Sequence, residues 1–367
     1  MRAQATMKTA EKAPTLVRVF PLDSPGVHRL NGDVVIGRAP PCEIVILSDL
    51  VSRRHARLEH TSQGWRIKDL DSANGLFVNG TRVCSRELRD GDIIRVGATL
   101  LRFAAAWDTA GPEPVDAAQE LAGSSLHGLR QQLRRLAGER RPVVLIGAAG
   151  SGKALAARAL HRLGQGGPLV TVDCTTVSRE RLDEQVLAAA GGTLFLRLVG
   201  ALAPGTQRRL AQRLDDTVRL VASSREPLAL EPELQAHLAD AVELELPPLE
   251  HRTQDVPELV RQIMQMRGQV RRVTLEAMEQ LCCERWSENV RQLERTVARA
   301  LERTPEDAPL DLEQGDVGVS ALYSELTGAL SRHRGDVNAA AATLGISRSQ
   351  LYRRAQKLGV RVADFRG

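Results

Sequence analysis

The chain is short of cysteines, of aromatic residues and of long apolar runs, and each shortage removes a class of protein. Its five cysteines are Cys42, Cys84, Cys174, Cys282 and Cys283, with no Cys-x-x-Cys spacing among 367 residues. An odd number without paired spacing argues against a disulfide framework or a zinc site and fits a reducing, cytoplasmic setting. Adjacent Cys282 and Cys283 read as small packing residues. No run of about 18 apolar residues occurs, and the polar stretch Met1 to Pro14 has no apolar core. Neither a membrane span nor a signal peptide is expected. Aromatics make up 3% of the chain and hydrophobic residues 43%, which describes a globular protein, here rich in Ala, Leu and Arg. Its length suits two or three domains.

What is present begins with charge. The formal net charge is +5, and from Ser320 onward eight Arg or Lys face three Asp or Glu. The rest is close to neutral, so the basic surplus sits at the C-terminus. That favours a local nucleic-acid contact over a generally adhesive surface.

Near the middle, Pro142-Val143-Val144-Leu145-Ile146 reads as a buried parallel strand. Gly147-Ala148-Ala149-Gly150-Ser151-Gly152-Lys153-Ala154 follows, then a helical pattern at Ala156, Ala157, Ala159 and Leu160. Strand, glycine loop, Gly-Lys and helix form the layout of a P-loop, whose amides and helix N-terminus receive phosphate. Gly147, Gly150, Ser151, Gly152 and Lys153 are the candidate nucleotide contacts. The eighth position normally carries a hydroxyl for Mg²⁺; Ala154 has none.

Residues 15–105 alternate apolar and polar in short runs such as Trp65 to Leu70. They are punctuated by Asn31-Gly32, Asn74-Gly75, Asn79-Gly80 and Asp90-Gly91. This pattern predicts an all-β sandwich. Within it, Gly37-Arg38, Ser52-Arg53-Arg54-His55, Ser72-Ala73-Asn74-Gly75 and Val78-Asn79-Gly80 together resemble a forkhead-associated (FHA) domain. The resemblance implies phosphothreonine recognition. Arg38 would fork onto the phosphate, Ser52 and Arg53 would donate to it, and Asn74 would hold the peptide backbone. Gly37, His55 and Gly75 would be structural. Ala73 departs from the family, which often has Ser or Thr there. A lost hydrogen bond to a charged group costs about 1.5–3 kcal/mol, which weakens binding without abolishing it.

After a linker at 106–124, Leu126, Leu129, Leu133 and Leu136 recur at helical spacing. Apolar strands at 168–173, 191–198 and 219–225 alternate with helices, which predicts a doubly wound α/β core over 125–249. A helical lid is expected over 250–305. Gly191-Gly192-Thr193-Leu194-Phe195-Leu196, Leu246-Pro247-Pro248-Leu249 and Asn289-Val290-Arg291-Gln292-Leu293 resemble the AAA+ domain of bacterial enhancer-binding proteins, which activate the sigma-54 form of RNA polymerase. By that resemblance Arg291 would reach a bound nucleotide.

The departures from that family lie at the chemistry. It has Asp-Glu after the Gly-Gly-Thr-Leu-Phe-Leu run; this chain has Arg197-Leu198. The loop that touches the sigma factor is absent. Glu231 to His237 holds no arginine finger. A positioned general base is worth roughly 10²–10⁴ in rate and an arginine finger roughly 10³–10⁵, so a scaffold without catalytic residues or a metal site is expected. No cofactor is required by this reading, and ATP or ADP binding stays open against an empty cradle.

A second linker spans 306–319. Over 320–367, Leu322, Leu326 and Leu330 mark one helix, and Val337 to Leu344 a second. Gly345 makes a turn, and Ser347 with Gln350 gives a capping box opening a third helix. Leu351, Ala355 and Leu358 share one face of it; Ser349, Tyr352, Arg353 and Gln356 share the other. The run Asn338 to Arg354 closely resembles the Fis-type helix-turn-helix that ends enhancer-binding proteins. Ser347, Arg348, Ser349, Tyr352 and Arg353 are expected to meet DNA, with Arg354 and Lys357 on phosphates.

The sequence thus describes a multidomain chain: an all-β FHA sandwich, an α/β P-loop AAA+ core with a helical lid, and an all-α Fis-type unit. The expected partners are double-stranded DNA, a phosphothreonine protein or peptide, and further copies of the chain. RNA polymerase contact stays open, and no membrane partner is expected. The competing readings are an ATP-hydrolysing sigma-54 activator and an FHA signalling adaptor.

Overall fold

A computed structural model describes residues 13–22, 26–107, 116–164, 166–226, 229–312, 329–330, 333, 336–344 and 346–357. Expectations for Leu322, Leu326, Gly345 and Leu358, and for the side chains of Arg354, Gln356 and Lys357, lie outside the described residues.

The first unit is a two-sheet sandwich. Its strands are β1 (Ala13–Phe20), β2 (Gly26–Arg29), β3 (Val34–Gly37), β4 (Ile44–Val45), β5 (Ala56–Thr61), β6 (Gly64–Asp69), β7 (Leu76–Val78), β8 (Thr81–Val83), β9 (Ser85–Glu87), β10 (Ile93–Val96) and β11 (Thr99–Trp107). One sheet runs β2-β1-β11-β10-β7-β8 and the other β4-β3-β5-β6-β9. Leu16, Ile36, Leu58, Ile67, Leu76, Ile94, Leu101 and Phe103 fill the space between them. The turn at Asn79-Gly80 needs left-handed backbone at both residues (φ 51° and 73°), which Asn and Gly supply at least cost.

The second unit has five parallel strands: β12 (Val143–Ile146), β13 (Leu169–Asp173), β14 (Thr193–Arg197), β15 (Arg219–Ser224) and β16 (Val242–Glu245). Their order is β13-β14-β15-β12-β16. Neighbouring residues on a strand serve opposite faces. Val143 and Leu145 pack with α1 (His127–Ala137) and α2 (Lys153–Leu163). Val144, Leu194 and Leu196 pack with α3 (Arg179–Ala188), α4 (Pro204–Arg213) and α5 (Pro232–His237). Burial on both faces is why these strands read as continuous apolar runs.

The lid comprises α6 (Val256–Met266), α7 (Leu275–Cys283) and α8 (Val290–Arg303). It reaches further than expected. Leu310 and Leu312 are buried in its core, and Leu310 forms a β-bridge with Val273, so 306–312 is packed chain and not linker. The first linker is also partly folded: Ala117–Glu120 is a 3₁₀ turn, and Ala118, Leu121 and Ala122 are buried. At the C-terminal end, α9 (Val337–Thr343) and α10 (Arg348–Lys357) share a small core of Leu330, Val337, Ala340, Ala341, Leu351 and Ala355.

The sandwich is not a free module. Val17, Val19, Ile93 and Leu100 point away from its own core and join Val256, Val260, Met278, Leu281 and Cys282 in one apolar cluster with the lid. Arg95 of β10 sits 3.7 Å over the Phe77 ring and forms a 3.0 Å ion pair with Glu279 of α7. Both charged side chains are largely covered, and burial pushes the Glu279 carboxyl up despite the guanidinium. Removing one partner of such a pair strands the other. Arg95→Ala is therefore expected to destabilise by about 3 kcal/mol, and Arg95→Met combined with Glu279→Leu to recover most of it. Thermal unfolding of the full chain checks both.

Candidate functional sites

At one end of the sandwich the recognition loops brace each other. The Arg38 amide donates to Ser52 O at 3.0 Å, and the Ala73 amide donates to Ser52 Oγ at 3.1 Å. Asn74 Nδ2 donates to Leu50 O at 2.8 Å. His55 is fully buried beneath them: its Nδ1 accepts from the Ser52 amide at 3.2 Å, and its Nε2 faces Gly75 O at 3.1 Å. Burial holds its pKa below the usual histidine value, so it is a neutral brace with its proton on Nε2.

Each structural glycine has a local reason. A Cβ at Gly37 would lie 2.2 Å from the Arg53 carbonyl oxygen, and Gly75 holds φ 79°, the left-handed region that favours glycine. Arg38 faces solvent and pairs with the exposed Asp49 at 3.2 Å, while Arg53 is exposed. The structure thus brings Arg38, Ser52, Arg53 and Asn74 to one set of loops. Ser72 does not replace the hydroxyl missing at Ala73, since it is itself buried. Arg82, packed on Gly75, was not singled out in the sequence; its strand position gave no signal.

The P-loop joins β12 to α2 as expected. Its glycines are needed for close approach: a Cβ at Gly150 would meet Glu288 O at 2.1 Å, and one at Gly147 would meet Leu246 O at 2.5 Å. The lid is stitched to this loop. Asn289 Nδ2 donates to Ala149 O at 2.8 Å, its Oδ1 accepts from the Leu249 amide at 2.6 Å, and the Val290 amide donates to Gly150 O at 3.2 Å. Buried Arg252 donates to Ser151 O at 2.8 Å and faces fully buried Asp255 at 3.6 Å. Asn289 stands in the Asn-Val-Arg-Gln-Leu run that marked the lid, but its bridging role needs the fold.

Between loop and lid lies a cavity of about 760 Å³. Its apolar lining is Leu121, Ala122, Leu126, Leu259, Ile263 and Met266, and its charged lining is Lys153, Arg158, Arg197, Arg225, Arg252 and Arg291 with Glu120 and Glu294. Lys153 folds back onto its own loop and donates to Gly147 O and Ala148 O. Burial, then the charges of Arg225 and Arg197, bring its pKa down to about 8. Arg197 ends β14 in register with Asp173 on β13 and pairs with it at 3.3 Å. The Asp173 carboxylate also accepts from Thr175, chiefly the cause of its lowered pKa. The buried Ser151 Oγ has no hydrogen-bond partner. An apolar wall beside a cationic phosphate loop suits a base at one end and a polyphosphate at the other.

In the C-terminal unit the capping box is formed: Gln350 N donates to Ser347 Oγ at 3.2 Å, and Ser347 N donates to Gln350 Oε1 at 2.9 Å. Ser347, Arg348, Ser349, Tyr352 and Arg353 are all exposed, and the Arg348 guanidinium lies 5.8 Å from the Tyr352 ring. Leu351 and Ala355 are buried on the opposite face.

A sandwich with a loop-end cation, a P-loop core under a helical lid and a basic helix-turn-helix make this a modular chain of three domain types. Four family models match in that order. They are the FHA domain at 34–97, the sigma-54 interaction domain at 122–249, the AAA+ ATPase lid domain at 250–313, and the bacterial regulatory protein, Fis family, at 324–358. Similar proteins include the transcriptional regulatory protein ZraR of Klebsiella oxytoca, 29% identical over 57% of this chain and 62% of that protein. The response regulator PilR of Pseudomonas aeruginosa is 29% identical over 67% of this chain and 71% of that protein. Among solved structures, NtrX of Brucella abortus in complex with ATP is 25% identical, with 68% of this chain and 70% of that one covered and a TM-score of 0.48. The chain carries the domains of bacterial enhancer-binding regulators, an FHA domain, a sigma-54 interaction domain with its lid and a Fis-type domain, and is similar to such regulators over about half to two thirds of its length.

Lys153 yields a pH prediction. The cations facing it are Arg197, Arg225, Arg158 and Arg291, and the carboxylates are Glu120 and Glu294. A bound polyanion favours charged Lys153. Affinity is therefore complete below about pH 8 and declines as pH rises above it, because the free protein then gives up that proton. Calorimetric titration with ADP on either side of that pH checks the sign.

Proposed function

We propose that this chain is a DNA-binding transcription regulator that couples phosphothreonine recognition to promoter or enhancer binding. The central domain acts as a nucleotide-binding scaffold that does not hydrolyse ATP. The sandwich takes a phosphothreonine through Arg38, Ser52 and Arg53, with Asn74 on the peptide backbone. A guanidinium forks onto phosphate with charge-assisted bonds, and Asp49 yields Arg38 readily because an exposed ion pair is weak. The capped helix enters the major groove with Arg348, Ser349, Tyr352 and Arg353 outward, and Arg354 and Lys357 on phosphates. Self-association through the C-terminal unit would pair two such helices on one operator.

The observation that carries the scaffold reading is Arg197 at the end of β14, followed by Leu198. A general base must lie within reach of the attacking water, and Leu198 has no group that accepts a proton. Arg197 offers a cation where a water-activating site needs an anion. The cleft itself is well formed: Lys153, Arg225 and Arg291 line it together with apolar residues of the lid. Binding and turnover are thereby separated, with the residues for the first retained and those for the second replaced.

Purified full-length protein is expected to hydrolyse ATP no faster than background. Turnover that disappears on Lys153→Ala would refute the scaffold and favour a polymerase-remodelling ATPase. Two further variants separate the ends of the chain. Arg38→Ala is expected to lower affinity for a phosphothreonine peptide by about tenfold or more, leaving DNA binding intact. Arg353→Ala does the reverse in a gel-shift assay, and an unchanged shift contradicts that contact.

A further inference from the structure

The metal that ordinarily accompanies a nucleotide in a P-loop does not match the side chains here. Two donors would be expected, a hydroxyl at the eighth loop position and a carboxylate ending the strand beside the loop strand's neighbour. Ala154 supplies a methyl group and Arg197 a guanidinium. Asp173, the nearby carboxylate, is already engaged by Arg197 at 3.3 Å and by Thr175 Oγ1 at 2.6 Å. Among the described residues no group of three or more His, Cys, Asp or Glu is placed to hold a metal ion.

The positive charge is nonetheless present, on the protein. Arg197 ends β14, Arg225 follows β15 and Arg291 lies in the first turn of α8, so three separate elements bring a guanidinium to the cavity that holds Lys153. None of the three is locked away. Arg225 and Arg291 are exposed, and the Arg197 side chain is 41% exposed despite its partner. These like charges share one cavity, and after burial, which is the larger cause, Arg225 and Arg197 help to lower the Lys153 pKa. A nucleoside polyphosphate relieves that repulsion most when it carries its full negative charge. A nucleotide already holding Mg²⁺ is less anionic and sets its ion against Arg197.

We propose that the cleft between the P-loop and the lid takes a nucleoside polyphosphate free of divalent metal, with Arg197 in the place and charge role of that metal. This rests on the nucleotide-binding reading given above and goes further, because it fixes the ionic form of the ligand. Guanidinium forks fit phosphate oxygens in pairs, so the substitution keeps a cation against the phosphates while removing the means of activating water.

The test is calorimetric titration of full-length protein with ADP and with ATP, once in EDTA and once in excess Mg²⁺. Affinity in EDTA is expected to equal or exceed that in Mg²⁺. Arg197→Asp is expected to reverse the preference, losing about tenfold in EDTA and binding better with Mg²⁺. Arg197→Gln, a milder change, is expected to lose affinity in EDTA without gaining metal dependence. Unchanged thermal unfolding of each variant shows that it folds. Tighter wild-type binding with Mg²⁺ than with EDTA overturns the proposal while leaving nucleotide binding intact. No heat of binding in either buffer, with Lys153→Ala identical to wild type, removes the nucleotide reading as well.

Discussion

Asn289 is the residue on which the geometry of the central cleft depends. It stands at φ 56° just before α8, a conformation that Asn tolerates better than most side chains. From there its amide spans two carrier elements, donating to Ala149 O of the phosphate loop and accepting from the Leu249 amide where the lid begins. The Asn289 side chain is buried, so neither bond is exchanged for water without cost. With the Val290 amide on Gly150 O, these bonds make loop and lid a single wall, and they point Arg291 into the cavity.

The same lid carries the sandwich on its other side. Val17, Val19, Ile93 and Leu100 would be an exposed apolar patch on a free FHA domain, and here they are covered by α6 and α7. The Arg95–Glu279 pair is bounded by the Phe77 ring. Strand β7 is only three residues long, so the recognition loop at Asn74-Gly75 and the lid contact at Asn79-Gly80 are the two ends of one short segment. The sandwich loops at Asn74-Gly75, the lid and the P-loop are therefore consecutive in space, although far apart in sequence.

The central domain keeps the architecture of its family and changes the charge at the strand end. Arg197 brings a cation to a pocket already lined by Lys153, Arg225 and Arg291. On the reading proposed above the cleft takes an anion, and Leu198 has no group that could act as a base. This fits a role in which a bound nucleotide holds two bodies together. The loop and lid are held together by the Asn289 and Val290 hydrogen bonds, and Leu259, Ile263 and Met266 of the lid line the cavity with the cations.

The chain itself determined much of this. Alternation and Asn-Gly turns announced the sandwich, because a half-buried strand repeats every two residues. Apolar runs between helices announced the parallel sheet, because both of its faces are covered. The Gly-Lys loop, the Ser347 capping box and the inversion at Arg197 are local chemistry and were legible without coordinates. Ile93, beside Ile94 on β10, packs on α7 residues almost two hundred positions on. Only the tertiary structure decided that this face packs on the lid, that 116–122 and 306–312 are folded and not linker, and that Asn289 bridges loop and lid. Such contacts depend on which surfaces meet across long sequence separations, and no local period encodes that.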